Sequence, residues 1–265
     1  MGPSANTGLR AAVGDFFTPQ PLWLGRDAGF ALFSTAHQVW VALSLLLVLY
    51  LASGYWRLAR MRGEAAERTR RRMTISCAVV PLALMGFHSL LMARAGAFTV
   101  EWWPLHLCNV CELLALLHAL RQDEFSGVVL VGLGVPASLL ALFFPGWTVA
   151  PAWSLPSVCG FVEHALVLAS AMFVIVGGAI RPQRDHVLRP LLFVAAYTVM
   201  IYPFNQRFGT NFAFVAWPLD FGPLALWAQM YGNPGYLVPY AVAFSLIVWG
   251  VMSLWRLAIK RGNPH

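Results

Sequence analysis

Charged side chains are scarce in this chain: Asp, Glu, Lys and Arg together make up only 11% of its 265 residues. A soluble domain of ordinary composition carries about 25% charged residues. Hydrophobic residues reach 59%, which leaves too little polar surface to cover a globule in water. These proportions exclude an ordinary soluble domain. They favour an all-α polytopic membrane protein, because helices satisfy their own backbone groups in lipid.

Cysteine is also rare, with four residues in the chain. Their positions within apolar stretches exclude a secreted disulfide framework. No spacing of His, Cys, Asp or Glu matches a standard metal motif, so neither a metal nor another cofactor is predicted. One metal alternative stays open, because the following residues are suitable zinc ligands: His88, Cys108, Glu112 and His164.

The chain consists largely of long runs of apolar residues. A transmembrane helix needs about 20 such residues, and seven runs qualify: 34–56, 73–94, 104–121, 125–145, 155–180, 188–205 and 237–258. No internal repeat or low-complexity region interrupts them. Residues 1–265 are therefore predicted to form a single transmembrane domain of about seven helices.

The basic residues lie between these runs on alternate sides. The segment from Arg57 to Arg72 contains seven arginines, and the gaps on that side together with the C-terminal end hold 14 of the 18 Lys and Arg residues. Loops rich in Lys and Arg face the cytoplasm. We therefore predict a multi-pass cell-membrane protein with its N-terminus outside and its C-terminus inside. The net charge of +7 follows from this topology, and no nucleic-acid partner is predicted.

Aromatic residues and glycines mark the predicted outer side. Seven tryptophans, Trp147 among them, fall in or beside outer segments, where an interfacial belt forms. The segment 207–236 is too long and too apolar for a hydrated loop. We predict a re-entrant or interfacial piece that lies over the outer mouth of the bundle.

Polar side chains inside the runs are the most informative feature of the sequence. An ionisable group in a span costs free energy, so it marks a site or a paired contact by default. Four predicted spans place such groups in the outer half of the bilayer: His88, Cys108, Asn109, Glu112, Glu163, His164 and Asn205, with Asn211 directly after span six.

Predicted span three carries the candidate nucleophile. Cys108 and Glu112 are four residues apart and share a helix face, whereas His106 lies on roughly the opposite side. Pro104 suits the first helical position, which puts Cys108 just past the first turn, where the helix dipole still favours a thiolate. A histidine on a facing helix would complete a Cys–His nucleophile pair.

Structural roles explain some of the same residues. A cysteine in a membrane often serves as a small apolar filler. His164, Glu112 and Glu163 can hydrogen-bond between helices for packing alone. The residues by themselves leave both interpretations open.

Three short motifs resemble the YwaF-like family of seven-span membrane proteins. The first is Trp-Pro-Leu-His-Leu-Cys-Asn at 103–109, the second Phe-Val-Glu-His at 161–164, and the third the stretch from Asn205 to Gly209, Thr210 and Asn211. That family is similar to an animal group of transmembrane acyltransferases that build polyunsaturated ether phospholipids. One departure is that Phe212 and Phe214 stand where tyrosines are common.

The resemblance implies that Cys108 and His164 are the catalytic pair of a lipid acyltransferase or acyl hydrolase. Its substrate would be a membrane phospholipid or acyl lipid. Asparagine amides would stabilise the oxyanion, and Glu112 or His88 would orient the histidine. The supporting or substrate-binding residues are His88, His106, Asn109, Glu112, Glu163, Asn205 and Asn211. The alternative is a non-catalytic transporter or sensor that binds a small ligand in the same polar pocket. The sequence leaves the oligomeric state unspecified.

Overall fold

The structure is a computed structural model that describes residues 14–219 and 222–262, with side chains described as far as residue 259. It is helical throughout these ranges, where no strand occurs. The main helices are α1 Thr35–Arg60, α2 Glu64–Arg94, α3 Leu107–Arg121, α4 Glu124–Phe143, α5 Leu155–Gly177, α6 Leu188–Phe208, α7 Gly222–Tyr231 and α8 Leu237–Gly262.

Six of the described helices are long and apolar enough to cross a membrane. They are α1, α2, α4, α5, α6 with its preceding turn, and α8. Predicted span three corresponds to α3, which has only 15 residues and is about 22 Å long at 1.5 Å per residue. This length is below the roughly 30 Å of a bilayer core. The protein is an integral membrane protein with at least these six candidate spans.

Helix α5 lies at the centre of the bundle and contacts α1, α2, α3 and α4. Most of α4 and α5 is buried, whereas α1, α6 and α8 turn large apolar side chains outward. Leu46, Val199 and Leu254 are 61%, 76% and 69% exposed. A bundle with an apolar core and an apolar exterior fits lipid as its solvent, because monomeric soluble proteins rarely expose such continuous apolar surface.

One end of the bundle, which we call the aromatic end, is where α1 and α5 begin and α4 finishes. His37 Nε2 donates to the carbonyl of Leu142 over 2.9 Å, and Trp40 Nε1 donates to the carbonyl of Ala152 over 2.7 Å. The start of α3 also lies at this end of the bundle, because Asn109 contacts Met85 in the C-terminal half of α2. These contacts align the helix ends that position the candidate site.

The arginine-rich segment predicted between spans one and two is mostly helical. Only Met61–Gly63 separates α1 from α2, which begins nine residues before the predicted span at 73. Glu64 and Glu67 occupy the first turn of α2, where acidic side chains favour the helix dipole. Glu64 also forms an i,i+4 pair with Arg68, which adds a few tenths of a kcal/mol. The loop predicted from Arg57 to Arg72 was therefore too long, because α2 begins at Glu64 within it.

The segment after α6 packs over the aromatic end, close to the start of α3. A short 3₁₀ helix, Phe212–Phe214, lies against His106. The hydroxyls of Tyr236 and Tyr240 donate to the carbonyls of Phe214 and Ala213. This part of the predicted interfacial segment is therefore fixed to α3 and α8 rather than free in solvent.

Candidate functional site

Cys108 lies in the first turn of α3, because that helix begins at Leu107 and not at Pro104. The first N–H groups of a helix have no intrahelical acceptor. The backbone N–H groups of Cys108 and Asn109 lie beside the Cys108 sulfur. The predicted helix start was wrong by three residues, and the correction moves the thiol closer to the positive end of the helix dipole.

Polar groups from neighbouring helices surround the half-buried Cys108 thiol. Its S–H donates weakly to Asn109 Oδ1 at 3.9 Å, and Asn109 Nδ2 donates to the sulfur of Met85 in α2 at 3.4 Å. The thiol is also electrostatically coupled to the carboxyls of Glu112 and Glu163. Cys108, Asn109, Glu112 and Glu163 therefore lie in one cluster, and their functional role stays a prediction.

The two carboxyls of this cluster are deeply buried. Glu112 is 1% exposed and Glu163 is 9% exposed. Glu112 Oε2 and Glu163 Oε1 each have no hydrogen-bond partner among the residues that the structure describes. Burying an unpaired polar atom costs free energy, so these two carboxyl groups destabilise the bundle unless a further group pairs with them.

His164 is oriented by its own helix. Its Nδ1 lies 2.7 Å from the carbonyl oxygen of Gly160. A carbonyl can only accept, so Nδ1 carries the hydrogen and Nε2 keeps its lone pair. In residues 14–219 and 222–262, Nε2 has no hydrogen-bond partner and is buried. The orienting group is thus the Gly160 carbonyl, where Glu112 or His88 was expected.

No hydrogen bond joins Cys108 to His164 within the described residues. His164 faces Gly160 and Trp147, while the adjacent Glu163 is coupled to Cys108. Consecutive residues of a helix are separated by about 100°, which follows from 3.6 residues per turn, and this explains the division. Both side chains point into the protein rather than toward lipid, and the catalytic pairing stays a prediction.

Trp147 is a site residue that the sequence analysis assigned to the interfacial belt. It is only 8% exposed, and its ring stacks on the His164 ring with centroids 5.1 Å apart and planes inclined by 28°. A Cβ on Gly160 would lie 2.5 Å from this indole. A glycine four residues before a buried histidine was the available signal, because small residues in membrane helices mark close approach.

The two remaining histidines of the prediction lie apart from the thiol. His88 is half-buried, has its ring centroid 6.5 Å from that of Trp102, and leaves Nε2 unpartnered within the described part of the chain. His106 packs against Phe212 and Phe214 with ring centroids 5.1 and 5.6 Å away. This agrees with its predicted place on the other side of α3.

Asn205 and Asn211 hold the segment after α6. Asn205 is fully buried and donates to the carbonyl of Phe212, while its Oδ1 accepts from the N–H of Phe212 and the hydroxyl of Thr210. Asn211 donates to the carbonyl of Trp217, and its Oδ1 accepts from the N–H groups of Ala216 and Trp217. Their amides are engaged by the loop and do not join the cluster around Cys108.

Tyr197 is a further neighbour that the sequence did not single out. Its hydroxyl donates to the carbonyl of Leu105, which precedes α3 and has no intrahelical partner. Tyr197 is also coupled to Cys108. This contact from α6 fixes the non-helical entry to α3 beside the thiol.

The four residues considered as zinc ligands do not form a metal site. Among the described residues, no group of three or more His, Cys, Asp or Glu side chains is placed to hold a metal ion. The separate surroundings of His88 and His164 explain this result, since His88 neighbours Trp102 and His164 neighbours Trp147.

Residues 32–253 match the TMEM164 family, so the chain belongs to that family of transmembrane proteins. No curated protein and no solved structure matches the chain. The resemblance to YwaF-like proteins and to ether-phospholipid acyltransferases stays a prediction, because no matched protein tests it.

Proposed function

We propose that this protein is a lipid acyltransferase of the cell membrane, with Cys108 as the acyl-accepting nucleophile and His164 as the general base. The observation that carries the proposal is the setting of Cys108. Its thiol is half-buried in the first turn of α3, beside two backbone N–H groups and amid polar groups of several helices. A thiol that served only as packing would require none of these neighbours.

The first turn of α3 also supplies donors for an oxyanion. Attack of the sulfur on an ester carbonyl places negative charge on the carbonyl oxygen, and backbone N–H groups that point at this position stabilise it. The N–H groups of Cys108 and Asn109 lie beside the sulfur and would serve as these donors. They take the role that the sequence analysis gave to asparagine amides, since Asn205 and Asn211 are bonded to the loop.

His164 supports the proposal through its tautomer. With Nδ1–H bonded to Gly160, the lone pair on Nε2 is the base. Catalytic hydrogen bonds are often longer before the substrate binds. In the proposal, Nε2 receives the thiol proton and delivers it to the alcohol oxygen that leaves the donor ester when the acyl chain is transferred to Cys108. The neutral Nε2 then receives the acceptor's proton in the second step.

The proposal includes seven crossings with the N-terminus outside. Helix α3 is short, but it is buried among α2, α4 and α5, and non-helical backbone is tolerated at membrane depth where protein covers it. The bond from Tyr197 to Leu105 provides this cover. With α3 as the seventh crossing, the arginine-rich segment from Arg57 to Arg72, which contains the Met61–Gly63 turn, faces the cytoplasm and Cys108 lies in the outer half.

A second function has one observation in its favour. Glu112 and Glu163 are buried, coupled carboxyls from two helices, each with an unpartnered oxygen in the described residues. Intramembrane carboxyls are typical of proton relays in transporters. A proton-coupled transporter or a sensor is therefore the alternative, with the same pocket as its ligand site.

A trapped thioester separates the two functions. Purified protein incubated with phospholipid that carries a labelled acyl chain should acquire a hydroxylamine-sensitive adduct on Cys108. Cys108→Ser should lose the adduct. Cys111→Ser is the matched control, because Cys111 is fully buried three residues away, and it should retain the label. His164→Ala should slow adduct formation by about 10²- to 10⁴-fold, the usual contribution of a general base.

The transporter makes the opposite prediction. It forms no adduct, and Cys108→Ser leaves transport or ligand binding nearly intact. That result would remove the nucleophile and leave the cluster as a binding pocket.

A further inference from the structure

The stacked rings of Trp147 and His164, whose centroids are 5.1 Å apart, each carry an unpartnered nitrogen. Trp147 Nε1 and His164 Nε2 are both buried, and neither has a hydrogen-bond partner within the ranges that the structure describes. The two residues are only 8% and 7% exposed. One nitrogen is an obligatory donor, because an indole carries N–H, and the other is an acceptor, because Gly160 fixes the hydrogen on Nδ1.

Trp40 and His37, at the same end of the bundle, have their polar atoms satisfied. Trp40 Nε1 donates to Ala152, and both nitrogens of His37 are bonded, to Phe33 and Leu142. Buried polar groups in native proteins usually have partners. The pair formed by Trp147 and His164 therefore differs from Trp40 and His37, and its donor and acceptor point to a ligand group that can both accept and donate.

We propose that Trp147 and His164 together bind the hydroxyl group of the acyl acceptor, with Trp147 as the residue that positions it. The hydroxyl oxygen accepts from Trp147 Nε1–H and its hydrogen is donated to His164 Nε2. The acceptor class is an alcohol, such as the glycerol hydroxyl of a lysophospholipid. This inference rests on the proposed acyl transfer, and it adds a residue and a substrate group to it.

The chemistry of the second step balances at this position. The hydroxyl oxygen attacks the carbonyl carbon of the Cys108 thioester, so a C–O bond forms and the C–S bond breaks. The hydroxyl proton moves to His164 Nε2, and the resulting imidazolium delivers it to the departing Cys108 sulfur. Nδ1–H remains bonded to the Gly160 carbonyl throughout. Trp147 places the oxygen lone pair and takes no proton.

Gly160 makes the arrangement possible. Its missing Cβ gives the indole room to lie against α5, since a Cβ would be 2.5 Å from Cδ2 and Cε2 of Trp147. The same residue supplies the carbonyl that fixes the histidine. Gly160 thus determines both the position of the donor, Trp147 Nε1–H, and the tautomer that makes His164 Nε2 an acceptor.

Direct binding tests the inference without acyl transfer. Cys108→Ser protein in lipid nanodiscs is titrated with lysophosphatidylcholine and with an analogue in which hydrogen replaces the free glycerol hydroxyl. The hydroxyl compound should bind about tenfold more tightly, the value of a well-made buried hydrogen bond. Trp147→Phe should abolish this difference, and so should benzothienylalanine at position 147, which keeps the indole shape but has sulfur in place of N–H.

Trp153→Phe is the matched control, because Trp153 belongs to the same aromatic end but is 60% exposed; it should keep the tenfold preference. Equal binding of the two lysolipids by protein with Trp147 intact would overturn the inference, since the nitrogens would then hold water or nothing. An unchanged preference in the benzothienylalanine variant would do the same.

The half-reactions distinguish this inference from the proposed function. In otherwise unaltered protein, Trp147→Phe should slow transfer of the acyl group to lysolipid about tenfold more than it slows formation of the Cys108 thioester. Equal slowing of both steps would make Trp147 a packing residue. If Cys108 never forms a thioester while the hydroxyl preference holds, the proposed function fails and the binding site stands.

Discussion

The carbonyl oxygen of Gly160 accepts a 2.7 Å hydrogen bond from Nδ1 of His164, one turn further along α5. Because the acceptor is backbone, side-chain substitutions elsewhere in the cluster leave it in place. The bond directs the lone pair of Nε2 to the side of the ring where no described residue is bonded to it. The geometry of a single helix therefore fixes the tautomer of this histidine.

Substitution of Gly160 tests the packing that surrounds this bond. Gly160→Ala should lower the free energy of unfolding by about 1–3 kcal/mol, because the added methyl overlaps the buried Trp147 ring. Thermal unfolding in one detergent measures the change. Gly250→Ala in α8 is the control, since its Cβ would meet nothing within 4 Å, and it should leave stability unchanged or raise it slightly. A Gly160→Ala protein as stable as the control would contradict the close contact.

Asn205 should matter for stability more than for chemistry. Asn205→Ala removes three buried hydrogen bonds to Thr210 and Phe212, and we expect a loss of about 3 kcal/mol at roughly 1 kcal/mol each. Protease cleavage within residues 209–219 should accelerate in parallel. Asn211→Ala loses as many bonds at a more exposed position, where water replaces them, so its effect should be smaller. Equal effects would argue against the burial of Asn205 as the cause.

The orientation is testable at the turn between α1 and α2. Met61→Cys should resist an impermeant maleimide added to intact cells and react after permeabilisation. Met61 is a better site than Gly63, whose φ of +116° favours glycine. Asp27→Cys, on the other predicted side, should react in intact cells. Labelling of position 61 in intact cells would reverse the topology and move Cys108 to the inner leaflet.

Acid sensitivity is expected at the start of α4. The N–H of Ser126 donates to Asp123 Oδ1 over 2.8 Å and its hydroxyl donates to Oδ2 over 2.9 Å. These bonds, that from the backbone first, hold the pKa of Asp123 below its ordinary value. Asp123 therefore stabilises the fold above the pKa of the unfolded carboxyl, and this contribution is lost as the pH falls through the lowered pKa.

Denaturant unfolding across acidic pH measures that contribution. Asp123→Ala should cost about 0.5–2 kcal/mol near neutral pH, the usual value of an N-cap. Asp123→Asn retains a cap and should lose less stability than the unsubstituted protein on acidification. The same acid dependence in Asp123→Asn would assign the effect to another group.

Much of the helix framework was predictable from local sequence. Apolar length determines where a membrane helix lies. Six of the seven predicted runs therefore coincide with long helices in the structure, and the exception is the run 104–121. The start of α3 was less predictable, because Pro104 satisfies a general rule for first positions while Tyr197, 92 residues later, fixes the extended entry at Leu105. No local pattern encodes that contact.

The sequence by itself determined that the chain is a helical membrane protein and which polar residues are too costly to be incidental. It placed Cys108 and Glu112 on one helix face and Glu163 at a similar depth, because spacing along a helix and depth in the bilayer are one-dimensional properties; their functional role stays a prediction. Only the tertiary structure decided that His164 turns toward Gly160 and Trp147, that Trp147 is buried, and that Asn205 and Asn211 hold a loop. Those outcomes depend on which helix faces and loops meet; the burial of Trp147 against His164, for example, requires the close approach that a missing Cβ at Gly160 permits.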